Sequence, residues 1–206
     1  MSDNTLRLIE VVLDRSGSMN KIKADTEGGL RAFLDQQRAN PGRTLVSLHT
    51  FDDRYETVYA DTPLADVPDF TLQPRGATAL LDAVGRTIAT AHAKLAAMPA
   101  VYRPSEVIVV ILTDGHENVS REYSGADIKR LVTEQEKVGW IFLYLSAHLD
   151  AFDVAGGMGI RADTVVVYDH DRSEEALGAA GAMVSRGTRS GKYAFSDEER
   201  TATRHN

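Results

Sequence analysis

Apolar residues follow two alternating patterns along this chain. Short, nearly unbroken apolar runs stop abruptly at a polar residue or a glycine, and between them lie longer stretches whose apolar positions recur every three or four residues. The first pattern suits a strand buried on both faces, the second a helix with one buried side. Leu6–Leu13 is the first run and ends at Asp14. Residues 20–38 read as a helix with Ile22, Leu30, Phe33 and Leu34 on one face. A Gly28-Gly29 pair inside it costs about 1 kcal/mol per glycine, for which close packing on a sheet is the expected reason. After the turn signal Asn40-Pro41-Gly42 come Leu45–Phe51 and Glu56–Ala60, separated only by a short polar break. That break is too short for a parallel crossover, so an antiparallel hairpin is predicted.

Residues 61–75 hold three of the six prolines and read as loop. A second helix is predicted from about Thr78 to Leu95, with Leu81, Val84, Ile88, Ala91 and Leu95 at helical spacing. Glu106–Leu112 is the most strand-like segment and halts at Thr113-Asp114-Gly115. A third helix spans about 125–138, with Ile128, Leu131, Val132 and Val138 inward and Gly139 as its C-terminal cap. A strand at 140–145, a Gly-rich segment at 156–159, a strand at 164–168 and an amphipathic helix at 173–186 complete the pattern.

Strands alternating with helices predict an α/β fold. The expected architecture is a doubly wound, mostly parallel, Rossmann-like six-stranded sheet of order 3-2-1-4-5-6, with one antiparallel edge strand and helices on both faces. Residues 1–186 are expected to form one domain. Residues 187–206 are polar and read as a mobile tail, in which Ser196-Asp197-Glu198-Glu199 forms a capping box for one short helix.

Composition narrows the chemistry. At 206 residues the chain can bury a full core without disulfides or a structural metal. It has no cysteine, which removes thiolate zinc sites, iron–sulfur clusters and cysteine nucleophiles. The formal charge is −7 and no basic run is long enough to track phosphates, so nucleic acid is not an expected partner. The longest apolar runs, Val107–Leu112 and Trp140–Leu145, fall far short of the roughly 20 residues that span a bilayer, so no membrane partner is expected either. The opening Met1-Ser2-Asp3-Asn4 has neither the basic nor the apolar region of a signal peptide, and the expected location is cytoplasmic.

Asp14-Arg15-Ser16-Gly17-Ser18-Met19 stands at the end of the first strand, before the first helix. In open α/β sheets ligands bind beyond the carboxyl ends of the strands, where strand order reverses. With the predicted order, the strand ending at Asp114 is the neighbour of the first, so Asp14 and Asp114 converge there; Gly17 and Gly115 are expected to let the backbone turn sharply. Two carboxylates with Ser16 and Ser18 make a cluster of hard oxygen donors that suits Mg²⁺, Mn²⁺ or Ca²⁺ over zinc or copper. Few protein charges and room for waters make Mg²⁺ the expected ion. Singly, Asp-Arg-Ser-Gly-Ser also reads as a helix cap and turn, Thr78 as a cap and Asp114-Gly115 as a turn. Asp52 and Asp53 read as turn residues. The six histidines show no HxxH or HExxH spacing, which gives no zinc signature. Gly156-Gly157-Met158-Gly159 follows a helical segment and is a poor phosphate loop, and there is no Walker A sequence.

Asp-x-Ser-Gly-Ser after the first strand, a threonine in Gly76-Ala77-Thr78-Ala79-Leu80, and Thr113-Asp114-Gly115 after a strongly apolar strand together resemble the metal-ion-dependent adhesion site of von Willebrand factor type A domains. The resemblance covers about residues 5–186. Asp14, Ser16 and Ser18 match its first element, Thr78 its second and Asp114 its third. It implies that the serines and the threonine touch the metal directly or nearly so, that the aspartates hold it partly through waters, and that one position stays open for a carboxylate from a partner protein. His116, Glu117 and Asn118, just after Asp114, are expected on the rim as partner contacts.

The function implied is a non-enzymatic, metal-dependent protein-interaction module binding a partner's Asp or Glu. Similar stand-alone domains of bacteria and their phages serve as adaptors or scaffolds beside AAA+ ATPases, or in stress-response and tellurite-resistance clusters. Two alternatives remain. A metal-dependent phosphohydrolase would use Asp14 as nucleophile, although no nucleophile–base pair stands out and no lysine closely follows any motif strand. A structural or assembly component of a phage or multiprotein complex would use the metal only for rigidity.

Overall fold

The computed structural model describes residues 5–205. Its elements, in chain order, are β1 (Leu6–Asp14), α1 (Lys23–Arg38), β2 (Arg43–Phe51), β3 (Tyr55–Pro63), α2 (Leu80–Ala97), β4 (Glu106–Thr113), α3 (Gly125–Glu136), β5 (Trp140–Ser146), α4 (Ala151–Gly157), β6 (Val165–Val167), α5 (Ser173–Ser190) and α6 (Asp197–Ala202). One sheet holds all six strands in the order β3-β2-β1-β4-β5-β6. Only β2 and β3 pair antiparallel, and β3 lies at an edge. The short break between these strands leaves the chain no route to a parallel pairing.

Side-chain alternation along the central strands divides the core into two layers. Ile9, Val11 and Leu13 of β1 pack on the side of α1 and α5, with Phe33, Leu177 and Val184. Leu8 and Val12 face the other way, toward Val84, Ile88, Ile128 and Val132 of α2 and α3. Both faces of β1 and β4 are therefore covered, which is why these strands read as continuous apolar runs.

Three local expectations are corrected. The Gly28-Gly29 pair packs against α5 instead of the sheet: a Cβ on Gly29 would lie 2.8 Å from the Glu174 Cα and 3.0 Å from the Leu177 side chain. Val138, expected inward, is 71% exposed because α3 ends at Glu136. The stretch after residue 186 packs on the domain instead of trailing from it. α5 continues to Ser190, Phe195 and Thr203 are buried, and Arg186 donates to both carboxylate oxygens of Glu199 at 2.7 and 3.0 Å. The Ser196/Glu199 capping box does open α6. Asn206 and residues 1–4 lie outside the described residues.

Candidate metal centre

The parallel register sets the two key strand ends side by side. Leu13 pairs with Leu112, so Asp14 reaches the level of Thr113 and Asp114 stands one residue beyond. The Thr113 hydroxyl donates to Asp14 Oδ2 at 2.6 Å, and the Ser16 backbone N–H donates to Asp14 Oδ1 at 2.6 Å. Ser16 Oγ and Ser18 Oγ are 3.0 Å apart, and the Ser18 hydroxyl donates to Asp114 Oδ1 at 2.6 Å. Asp14, Ser16, Ser18 and Asp114 are thus joined in one chain of hydrogen bonds.

Thr78 comes from a separate loop, stitched to the first. Arg75 N–H donates to the Arg15 carbonyl at 2.7 Å and Gly17 N–H to the Gly76 carbonyl at 3.2 Å. Thr78 is 3% exposed and does not cap α2, whose N-cap position is Ala79. Among the described residues its hydroxyl makes no hydrogen bond. Gly115 explains where that hydroxyl sits: a Cβ there would lie 2.6 Å from Thr78 Oγ1 and 3.2 Å from Asp14 Oδ2. The backbone does turn at both glycines, into a 3-10 turn at Gly17 and a bend at Gly115, but neither has a positive φ, so neither turn calls for glycine's backbone freedom. Gly115 is needed for the space its missing side chain leaves beside two oxygens.

These residues fit a small divalent cation on three grounds. Adjacent ligands of an octahedral site with 2.0–2.1 Å bonds lie about 2.9 Å apart, close to the spacing of the two serine oxygens. The Thr78 hydroxyl has no hydrogen-bond partner among the described residues, although the residue is only 3% exposed. The buried Asp14 carboxylate is served only by neutral donors, and the neighbouring Arg15 turns away to Asp52 and Glu56. Burial consequently pushes the Asp14 carboxyl up to about 6, against the opposing effect of the Thr113 and Ser16 hydrogen bonds. Burial also raises Asp114, opposed by the Ser18 hydroxyl and by His170 and His148.

The residues after Asp114 divide into two roles. Glu117 accepts from the backbone N–H groups of Leu81, Val119 and Ser120 at 2.9, 3.0 and 2.7 Å, and Asn118 Oδ1 accepts from Thr78 N–H at 3.1 Å. Both side chains are committed to fixing Thr78 and the start of α2, whereas His116 has a 60% exposed side chain.

The sequence reading missed Asp52. It is fully buried, accepts from Arg15 Nε at 3.0 Å, Arg75 Nε at 2.7 Å and Arg54 N–H at 2.6 Å, and its carbonyl takes Ala79 N–H at 2.9 Å. Burial opposes its ionisation, yet the Arg75 hydrogen bond, the Arg54 N–H and the Arg15 charge hold the carboxyl below its usual range. It ties together both loops that carry the oxygen donors. Its position directly after β2, beside β1, is the signal that could have found it. Also unforeseen was the approach of His116, His148 and His170. The His116 and His148 ring centroids are 3.7 Å apart, and His170 lies edge-on to His148 at 6.3 Å.

No protein-family model matches the sequence, and no curated protein matches it. Solved structures do share the fold. Proximal thread matrix protein 1 from the mussel byssus, in a structure described as having a zinc-occupied MIDAS motif, superposes with a TM-score of 0.57 at 16% identity, covering 90% of this chain and 47% of that one. A von Willebrand factor type A protein from Catenulispora acidiphila gives 0.54 at 16%, covering 89% and 43%. The vWF domain of the type V pili tip protein Mfa5 from Porphyromonas gingivalis gives 0.58 at 9%, covering 91% and 97%. The chain spans about half the length of the byssus proteins it matches.

Proposed function

From the von Willebrand factor type A fold and this oxygen cluster, we propose that the chain is a recognition module that captures a partner's Asp or Glu carboxylate through a divalent cation. Asp14, Ser16, Ser18, Thr78 and Asp114 would hold the ion, with Mg²⁺ first among the candidates. The observation that carries the reading is the unpartnered Thr78 hydroxyl, which with Asp14 Oδ2 borders the notch left by Gly115, together with two serine oxygens spaced as adjacent ligands.

When bound, the cation would supply an electrophilic centre; the three hydroxyl donors bring no charge of their own, so only Asp14 and Asp114 offset it. The protein's own groups set the direction of access. Asp14 and Thr78 are buried while Ser18 is exposed, so the cluster has a closed floor and an open side at Ser18. Without a cation, Asp14 and Asp114 repel an incoming anion, and the formal charge of −7 adds to that. Leu149, 85% exposed on the loop after β5, offers an apolar contact on the side of the histidines. Solved relatives in fold include a pilus tip domain and a pilus adhesin, which supports a role in protein contact.

A binding role is also favoured by the state of Asp14. Its carboxylate has no exposed surface and both oxygens already accept hydrogen bonds, a poor disposition for the nucleophile of a phosphohydrolase.

The test is binding of the full chain to short peptides carrying a single Asp or Glu beside leucine, against their Asn and Gln counterparts, in Mg²⁺ and in chelator. Binding that needs both the carboxylate and Mg²⁺, and that Ser18→Ala weakens at least tenfold, is the expected result. Equal binding in chelator, or equal binding of the amide peptides, would refute the proposal.

A further inference from the structure

The loops after β4, β5 and β6 bring His116, His148 and His170 to one end of the sheet, although they are far apart in sequence. With Asp150, the first two form a second donor set, distinct from the oxygen cluster. One nitrogen of His116, one of His148 and one oxygen of Asp150 all lie within 4.8 Å of one another, and His116 Nδ1 is 3.8 Å from Asp150 Oδ2. We propose that His116, His148 and Asp150 form a binding site for a borderline transition-metal ion, Zn²⁺ foremost.

The chemistry of the donors selects the ion. Two imidazoles and a carboxylate suit Zn²⁺, Ni²⁺, Co²⁺ or Cu²⁺, whereas Mg²⁺ and Ca²⁺ prefer oxygen. Two histidines and one carboxylate are also the protein ligands of zinc sites that keep a fourth position open.

Geometry permits closure. Tetrahedral zinc with bonds of about 2.0–2.1 Å places its ligands about 3.3 Å apart, so no separation in the set has to shrink by more than about 1.5 Å. The His116 and Asp150 side chains are 60% and 48% exposed and can turn without repacking the core. His148 is half-buried, and its Nε2 is shut off from solvent with no hydrogen-bond partner. A buried ring nitrogen left unpaired is unfavourable, and a metal ion is one partner that would relieve it.

The test uses tag-free full-length protein with Co²⁺ as a spectroscopic probe for the Zn²⁺ site, in excess Mg²⁺ to occupy the oxygen cluster. A tetrahedral ligand-field spectrum at one equivalent, displaced by Zn²⁺ and retained in Asp14→Ala, is expected. His116→Ala and Asp150→Asn should each weaken Co²⁺ binding at least tenfold, and His148→Gln should abolish the tetrahedral spectrum. His116→Ala and Asp150→Asn change exposed side chains, so they decide the matter even if His148→Gln fails to fold; circular dichroism checks each variant. An octahedral spectrum, loss of the spectrum in Asp14→Ala, or indifference to His116→Ala and Asp150→Asn would overturn the proposal. None of these results depends on whether the oxygen cluster captures a partner.

Discussion

Gly115→Ala tests the space around the oxygen donors with a single methyl group. The added Cβ would stand 2.6 Å from Thr78 Oγ1 and 3.2 Å from Asp14 Oδ2, whereas ordinary contact begins at 3.4 Å. Thr78 Oγ1 must therefore retreat by about 0.8 Å, or Gly115 must move, which strains the Thr113-Asp114-Gly115 turn. Overpacking of this size costs about 1–3 kcal/mol. Without a cation the Thr78 hydroxyl has no bond to lose and can turn away, whereas a bound cation holds it in place, so the cost falls on the cation-bound state: a loss of roughly 5- to 150-fold in Mg²⁺ affinity, since about 1.4 kcal/mol is tenfold. The assay is calorimetric Mg²⁺ titration beside thermal melting in chelator. The variant should melt within a few degrees of the wild type without metal, yet bind Mg²⁺ at least fivefold more weakly. Wild-type affinity in Gly115→Ala would show that Thr78 and Asp14 do not share a cation beside Gly115.

Other perturbations separate the parts of the site. The Asp14 carboxyl is raised from 3.8 to about 6, so the stability it contributes to the cation-free protein is present below pH 4 and lost as pH rises through about 6. In chelator, wild type should lose stability relative to Asp14→Asn between pH 4 and 7, by at most about 3 kcal/mol, and Mg²⁺ affinity should fall up to tenfold per pH unit below about 6; parallel melting curves would contradict this. Asp52→Ala leaves the buried Arg15 with only the more exposed Glu56 as a carboxylate partner and should cost about 3 kcal/mol, roughly 6–12 °C of Tm, with Mg²⁺ binding weakened as the two loops loosen. Glu117→Ala removes the acceptor for three backbone N–H groups and should cost about 2 kcal/mol, partly restored in Glu117→Gln.

How far the sequence carried the fold follows from which interactions are local in pattern. The apolar runs ending at Asp14 and Thr113 were legible because a strand covered on both faces needs apolar residues at every position. The strand order is the common one of doubly wound sheets, and the hairpin gave its antiparallel edge strand. Gly28-Gly29 was legible as close packing but not as packing on α5, because its partner lies some 145 residues later and leaves no periodic mark. The segment 187–205 read as a tail because its polar composition hides the few residues that anchor it, Phe195 and Thr203 among them. At the site, the oxygen donors stood out because each follows a strand or precedes a helix. Asp52 obeys the same rule after β2 but looked like an ordinary turn residue. The histidines escaped because they converge from three different loops, and spacing along one helix or hairpin cannot reveal that.

The most direct measurement is anomalous diffraction from crystals of the full chain soaked in Mn²⁺. The proposal expects one strong peak about 2.0–2.4 Å from the hydroxyl oxygens of Ser16, Ser18 and Thr78, with Asp14 and Asp114 beside it at direct or water-bridged distance. A map with no peak among these oxygens, or with manganese bound only by His116, His148 and Asp150, would contradict it.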